Sequence, residues 1–278
     1  MSIDQLLVVV AALWGAAAGT LVPRAAYRFS VPPEEPWRDS CPRGHPLAGR
    51  PGGWLGPARC ATCAGTGAKG QPDAGHVVTA NAAGTSYDGS RSSGGSASYG
   101  PSTPLVALAT ALVCAALAAA TGTRPELGAW LLLAPVGVLL AVVDFRVQRL
   151  PDPLTLPLAA AALVLLGVAA LLPEHAGDWL TALLGALVLG GTYFVLFLIS
   201  PDGMGFGDVK LALGLGAVLG WYGWGSVVLG TFAGFLFGGL YGLALVVARR
   251  AGRRTSIPFG PFLIAGAFVG LLIGAYAA

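Results

Sequence analysis

The chain reads as a series of apolar blocks about 20 residues long, separated by short polar stretches and one long polar loop. Eight blocks stand out, at about 3–22, 103–121, 127–144, 153–172, 178–200, 208–221, 223–247 and 258–277. Each long block matches a membrane-spanning helix, which needs about 20 apolar residues. The sixth is short and broken by glycines, so the pattern predicts seven or eight spans. Short alternating strands, the mark of a membrane β-barrel, are absent from the pattern. The expected fold is therefore all-α and polytopic. A first helix (1–22) is followed by a long loop (23–102) and a membrane core (103–278). The glycines of "GLGAVLGWYGWG" suit close helix packing.

Composition agrees with that pattern. Of 278 residues, 55% are hydrophobic and only 10% charged, against about 25% charged in soluble domains. Mean hydropathy is +0.72. A net charge of +3 gives no reason to expect a nucleic-acid partner; the expected surroundings are a lipid bilayer. The first apolar run has no basic residue before it, and Arg24 and Arg28 follow it. That order favours a retained helix over a cleaved signal.

The placement of the basic residues predicts orientation. The long loop holds Arg24, Arg28, Arg38, Arg43, Arg50, Arg59, Lys69 and Arg91. Arg146 and Arg149 follow the third block, Lys210 begins the sixth, and Arg249, Arg250, Arg253 and Arg254 follow the seventh. The alternate loops hold only Arg124. With eight crossings every basic loop falls on the cytoplasmic side, and both chain ends fall outside. Residues 64–102 are small and polar, and that composition reads as a flexible insert.

Four features converge on the cytoplasmic face: "VDFRVQRLPDPLTLP", "GMGFGDVKL", "SIPFGPF" and a loop with three cysteines. Asp144 ends the third block and Asp208 begins the sixth. Two close carboxylates share one proton. The ionised one takes a proton from water, which attacks a peptide carbonyl. The protonated one polarises that carbonyl and then supplies the proton for the leaving amine. Asp208 near a helix start is the expected base, and Asp144 near a helix end the protonated partner. Glycines on both sides of Phe206 would let a substrate backbone approach Asp208. The plain alternative is that each aspartate caps a helix or sits in headgroup water. Asp202 is read as a loop residue.

"DFRVQRLPD" with "GMGFGDVKL" resembles the type IV prepilin (leader) peptidases, bacterial members of the GxGD aspartic proteases. Asp144 and Asp152 stand at the family's eight-residue spacing. Gly205, Gly207, Asp208 and Lys210 match its Gly-x-Gly-Asp motif and lysine. Pro258, Phe259, Gly260 and Pro261 match its Pro-Phe-Gly-Pro segment, and "GAAAGTLVPRAAYR" is a looser match at the end of the first block. The resemblance implies that Asp144 and Asp208 are catalytic. It also implies that the enzyme cleaves the basic leader from prepilins or pseudopilins at the cytoplasmic face of the bacterial membrane, in pilus assembly or protein secretion. Asp152 either serves the motif or caps a helix. Lys210 either tunes a neighbouring carboxylate or binds lipid phosphate.

Cys41, His45, Cys60 and Cys63 are thiol and imidazole ligands at a spacing suited to structural zinc. Many members of the family it resembles carry Cys-x-x-Cys twice in this loop; here Gly44 stands where the second cysteine of the first pair would be, and His45 beside it could complete a Cys3His set. A loop without metal is the alternative. Peptidase chemistry by two carboxylates requires no cofactor. N-methylation of the new pilin terminus, a second family activity, would require S-adenosylmethionine and stays open. Two other classes remain: a proton- or ion-coupled transporter, which expects acids at mid-helix and inverted repeats, and an inactive assembly factor of a pilus or secretion system.

Overall fold

The computed structural model describes residues 2–32, 35–49, 52–66, 98–201, 204–248 and 257–278. Its long helices are α1 (Ile3–Phe29), α3 (Thr103–Thr121), α4 (Glu126–Val147), α5 (Asp152–Ala170), α6 (Trp179–Ile199), α7 (Phe206–Gly220), α8 (Trp224–Val247) and α9 (Gly260–Ala277). A one-and-a-half-turn helix, α2 (Ala61–Thr66), lies in the long loop. Every apolar block of the sequence is a helix, and the described residues form no sheet, only two isolated β-bridges.

Seven of these helices are long and apolar enough to cross a membrane. The exception is α7, whose 15 residues give about 22 Å of helix, less than the roughly 30 Å of a hydrocarbon core. It nevertheless runs back along the length of α6. Trp221, just past its end, accepts the Asp178 N–H through its carbonyl at the start of α6 (3.0 Å).

Small residues set the closest helix pairs. A Cβ on Gly185 of α6 would stand 2.5 Å from the carbonyl oxygen of Gly216 on α7. The same holds between α8 and α9, where a Cβ on Gly266 would meet the Gly234 backbone, and between α1 and α3, where one on Gly15 would meet Thr110 and Ala111. Lipid supplies no hydrophobic drive between helices, so such close backbone approach is what holds them. α4 and α7 sit between these pairs: α4 touches α1, α3, α5 and α9, and α7 touches α5, α6, α8 and α9.

α1 extends seven residues beyond its expected end, through Pro23. The proline interrupts the helix ladder, and the long loop bonds to the backbone there. The Arg24 N–H donates to the Gly56 carbonyl (3.1 Å), and the Gly56 N–H donates to the Leu21 carbonyl (3.0 Å). Arg24 and Arg28 are thus helical, and they pin the loop by donating to the carbonyls of Ala48 and Gly52 (2.9 Å each).

The core of the expected flexible insert, residues 67–97, lies outside the described residues, as do Asp202 and the basic residues Arg249, Arg250, Arg253 and Arg254. The two ends of the insert do not match that reading. Residues 64–66 belong to α2, and Tyr99 is buried with its ring 4.6 Å from that of Tyr27.

Candidate active site and metal centre

Asp144 and Asp208 come from different parts of the bundle and meet at one end of it. Asp144 lies in the last turn of α4 and is 4% exposed; Asp208 lies in the first turn of α7 and is 8% exposed. The charge of Asp144 acts on Asp208. The Asp144 carboxylate accepts a hydrogen bond at Oδ2 from the Gly260 backbone N–H (3.0 Å).

That bond brings in the "PFGP" segment. Gly260 is the first residue of α9, and Pro261 follows in its first turn. The N–H groups of a first turn have no partner within their helix, and Asp144 takes one of them. A Cβ on Gly260 would lie 2.8 Å from Asp144 Oδ2, so a larger residue there would force that carboxylate to shift. Both carboxylates therefore face the positive end of a helix, α7 for Asp208 and α9 for Asp144. The helix-end asymmetry expected from the sequence does not separate their roles.

Leu150, in the α4–α5 link, fills the space between Gly207 and Gly260. A Cβ on Gly207 would lie 2.9 Å from Leu150 Cβ, and one on Gly260 would lie 3.5 Å from Leu150 Cδ1. Gly207 is thus a packing glycine rather than an opening toward Asp208. Gly205 differs, since a Cβ there would make only ordinary contact with Asp208 Oδ2 at 3.6 Å.

Asp152 is the first residue of α5, after the N-cap position held by Pro151. It pairs with Lys210 Nζ at 2.7 Å. Lys210 also lies over the Phe206 ring, 4.9 Å from its centre. This pair ties α5 to α7 beside the two acids. Pro258 lies in the link before α9. An apolar cavity of about 580 Å³ runs between α3, α4, α5, α7 and α9 and reaches Phe145, Arg146 and Pro261 next to Asp144.

Sequence reasoning gives no role to Tyr193 of α6, which is fully buried beside Asp208. Its only signal is a hydroxyl within an apolar block. Glu126 reads as a loop residue in the sequence, but it is fully buried at the opposite end of the bundle, where its Oε1 accepts from the Tyr222 hydroxyl (3.3 Å).

Cys41, His45, Cys60 and Cys63 form the second constellation. Their ligand atoms all lie within 4.8 Å of one another, and none of the cysteines forms a disulfide. Gly44, with φ +80°, turns the chain so that His45 comes back over Cys41; the Gly44 N–H closes the turn on the Cys41 carbonyl (2.8 Å). The Cys41 and Cys63 sulfurs are 3.8 Å apart, and His45 Nδ1 lies 3.6, 3.7 and 3.2 Å from Cys41, Cys60 and Cys63. A tetrahedral zinc site has edges of about 3.8 Å between sulfurs and about 3.6 Å from sulfur to nitrogen, given bonds near 2.3 and 2.05 Å. The donor set fits such an ion. A hydrogen bond from the Cys63 backbone holds the Cys60 thiol down to about 6, while burial pushes Cys63 up to about 11.

The fold and its polar end define a class: a multi-pass helical membrane protein with two buried acids gathered from separate helices at one end. The model of the type IV leader peptidase family matches residues 131–243, a stretch that holds both Asp144 and Asp208. The prepilin leader peptidase/N-methyltransferase of Escherichia coli K12 is 34% identical over 169 residues, 60% of this chain and 72% of that protein. The chain belongs to the type IV leader peptidase family. Proteins of the same name from Aeromonas salmonicida and Pseudomonas aeruginosa are 36% and 35% identical, over 62% and 67% of this chain and 58% and 63% of theirs. This chain thus spans less than two thirds of the length of those two relatives. No solved structure matches it.

Proposed function

We propose that this protein is an aspartic endopeptidase that removes the leader of a prepilin or pseudopilin at the membrane surface, with Asp144 and Asp208 as the catalytic pair. The observation that carries this reading is the meeting of the two buried acids, with Asp144 held by the Gly260 N–H. One carboxylate is ionised and takes a proton from water as the water oxygen bonds to the scissile carbonyl carbon. The other, protonated, hydrogen-bonds the oxyanion that forms. Its proton then goes to the departing nitrogen as the C–N bond breaks, which leaves one proton on the pair, as at the start. The apolar cavity beside Asp144 suits the apolar segment of a membrane-anchored substrate.

The active site faces the cytoplasm of a bacterial cell. Arg24, Arg28, Arg38, Arg146, Arg149 and Lys210 gather at the end that holds the pair, and Arg124 lies at the other, which is the distribution of the positive-inside rule. A transporter would place its acids at mid-depth, and Asp144 and Asp208 instead lie at helix ends. Cys41, His45, Cys60 and Cys63 would hold a structural zinc ion, which would fix the loop against the end of α1; Cys41, Cys60 and Cys63 pack there with Tyr27 and Tyr99. We assign hydrolysis to the acid pair.

The test is leader removal from a full-length prepilin, followed by gel mobility after co-expression with each variant. Asp144→Asn and Asp208→Asn should each leave the leader in place while the enzyme accumulates normally. Full processing by either variant would sink the assignment.

A further inference from the structure

Tyr193 carries a hydroxyl that nothing described in the structure uses. It sits on α6 with no exposed surface, and its oxygen is buried without a hydrogen-bond partner among the described residues. A buried donor left unpaired is destabilising, so such groups call for an explanation. Its ring packs on both halves of the acid site. Toward α7 it belongs to the apolar cluster that contains Val209 and Ala212, one residue and four residues after Asp208. Toward α8 it stacks with Phe235 (6.0 Å), and just before α9 its ring lies tilted against Phe259 (6.4 Å), which immediately precedes the Gly260 that donates to Asp144. The charge of Asp208 reaches the phenol.

We infer that Tyr193 is a positioning residue, whose hydroxyl donates a hydrogen bond to the Asp208 carboxylate whenever Asp208 is ionised in the catalytic cycle. This rests on the acid pair as the catalytic site. Asp144 already has a fixed donor in the Gly260 N–H. Among the described residues Asp208 has no counterpart of that long-range bond; its backbone partner is local, Gly205 at its own helix start. A phenol suits the task because it is a neutral donor; its oxygen has no partner among the described residues, so the bond would form by a movement of the two side chains toward each other as Asp208 ionises. Among the described residues, the charged groups at this end include Lys210 on α7, paired with Asp152 on α5, Asp144 and Arg146 on α4, and Arg24, Arg28, Arg38 and Arg149 around the long loop and the α4–α5 link. α8 and α9 meet Tyr193 with Phe235, Phe259 and Leu263.

The decisive variant is Tyr193→Phe, which removes the hydroxyl and keeps the stacked ring. Rates would be measured on the purified full chain in detergent with a full-length prepilin, across pH 5–9. We expect kcat to fall about tenfold with KM nearly unchanged. One limb of the pH profile should move to higher pH by about one unit, because a donor to the ionised form has been lost. The limb that moves reports the ionisation in which Asp208 dominates. Phe235→Leu disturbs the same ring stack and should lower thermal stability without moving either limb. If Tyr193→Phe leaves both limbs and kcat in place while Asp208→Asn is inactive, the inference is overturned and the pair stands. An active Asp208→Asn enzyme would remove the pair itself.

Discussion

Gly260 and Asp144 are 116 positions apart in sequence, yet the N–H of the first donates to the carboxylate of the second at 3.0 Å. The bond joins the last turn of α4 to the first turn of α9, and it gives the "PFGP" segment a physical task. Gly260→Ala would place a methyl group 2.8 Å from Asp144 Oδ2, closer than van der Waals contact allows. Leader removal should fall by about 10-fold or more, on the scale of one lost charge-assisted hydrogen bond. Gel-based processing at matched enzyme levels measures it.

Gly205 and Gly207 look equivalent in the motif and should behave differently. Gly207→Ala would drive a Cβ to 2.9 Å from Leu150. It should lower thermal stability by about 1–3 kcal/mol, as overpacking does. Gly205→Ala makes only ordinary contact, at 3.6 Å from Asp208 Oδ2. It should melt like the native protein yet cleave more slowly, because the methyl group narrows the approach to that carboxylate. Thermal melts and rates on both purified variants compare them.

The Asp152–Lys210 pair is well formed at 2.7 Å, but the Asp152 side chain is 62% exposed. Such a pair contributes at most about 1 kcal/mol. Asp152→Asn should therefore retain cleavage within a few fold, far above either variant of the acid pair. Exchanging the charges, with Asp152→Lys and Lys210→Asp together, should recover most of what either single change loses.

Purified protein should carry about one zinc ion per chain by elemental analysis, given the four ligands within 4.8 Å of one another. Cys60→Ser or His45→Ala should lower that content sharply. Chelation should open the loop at the end of α1, read as faster proteolysis within residues 35–66 while the membrane helices stay intact.

Much of the site is legible in the sequence alone. Asp144, Asp208 and Gly260 stand out as motif residues, because their spacing is a property of the chain. Gly207 stands out too, but its reason does not. The motif suggests an opening for substrate, and Leu150 occupies that space. Opposite helix ends suggest separate roles for the two acids. The start of α9 removes that contrast, since it presents its own N–H to Asp144. Tyr193 gives no usable signal, because a single tyrosine in an apolar block looks like ordinary packing.

The sequence by itself determined the helices, the concentration of basic residues at one end, and the residues of both constellations. In lipid each span must be long, apolar and internally hydrogen-bonded, so the spans show up as uninterrupted local runs. Which face of each helix is buried was decided only by tertiary structure. The helices are apolar all round, so no periodic stripe marks an inner face. Close approach of small residues sets the pairing instead, as where Gly185 meets Gly216 and Gly234 meets Gly266. Those contacts carry Asp144 to Gly260, Tyr193 to the turn after Asp208, and Asp152 to Lys210. None of these meetings is encoded within a single stretch of chain.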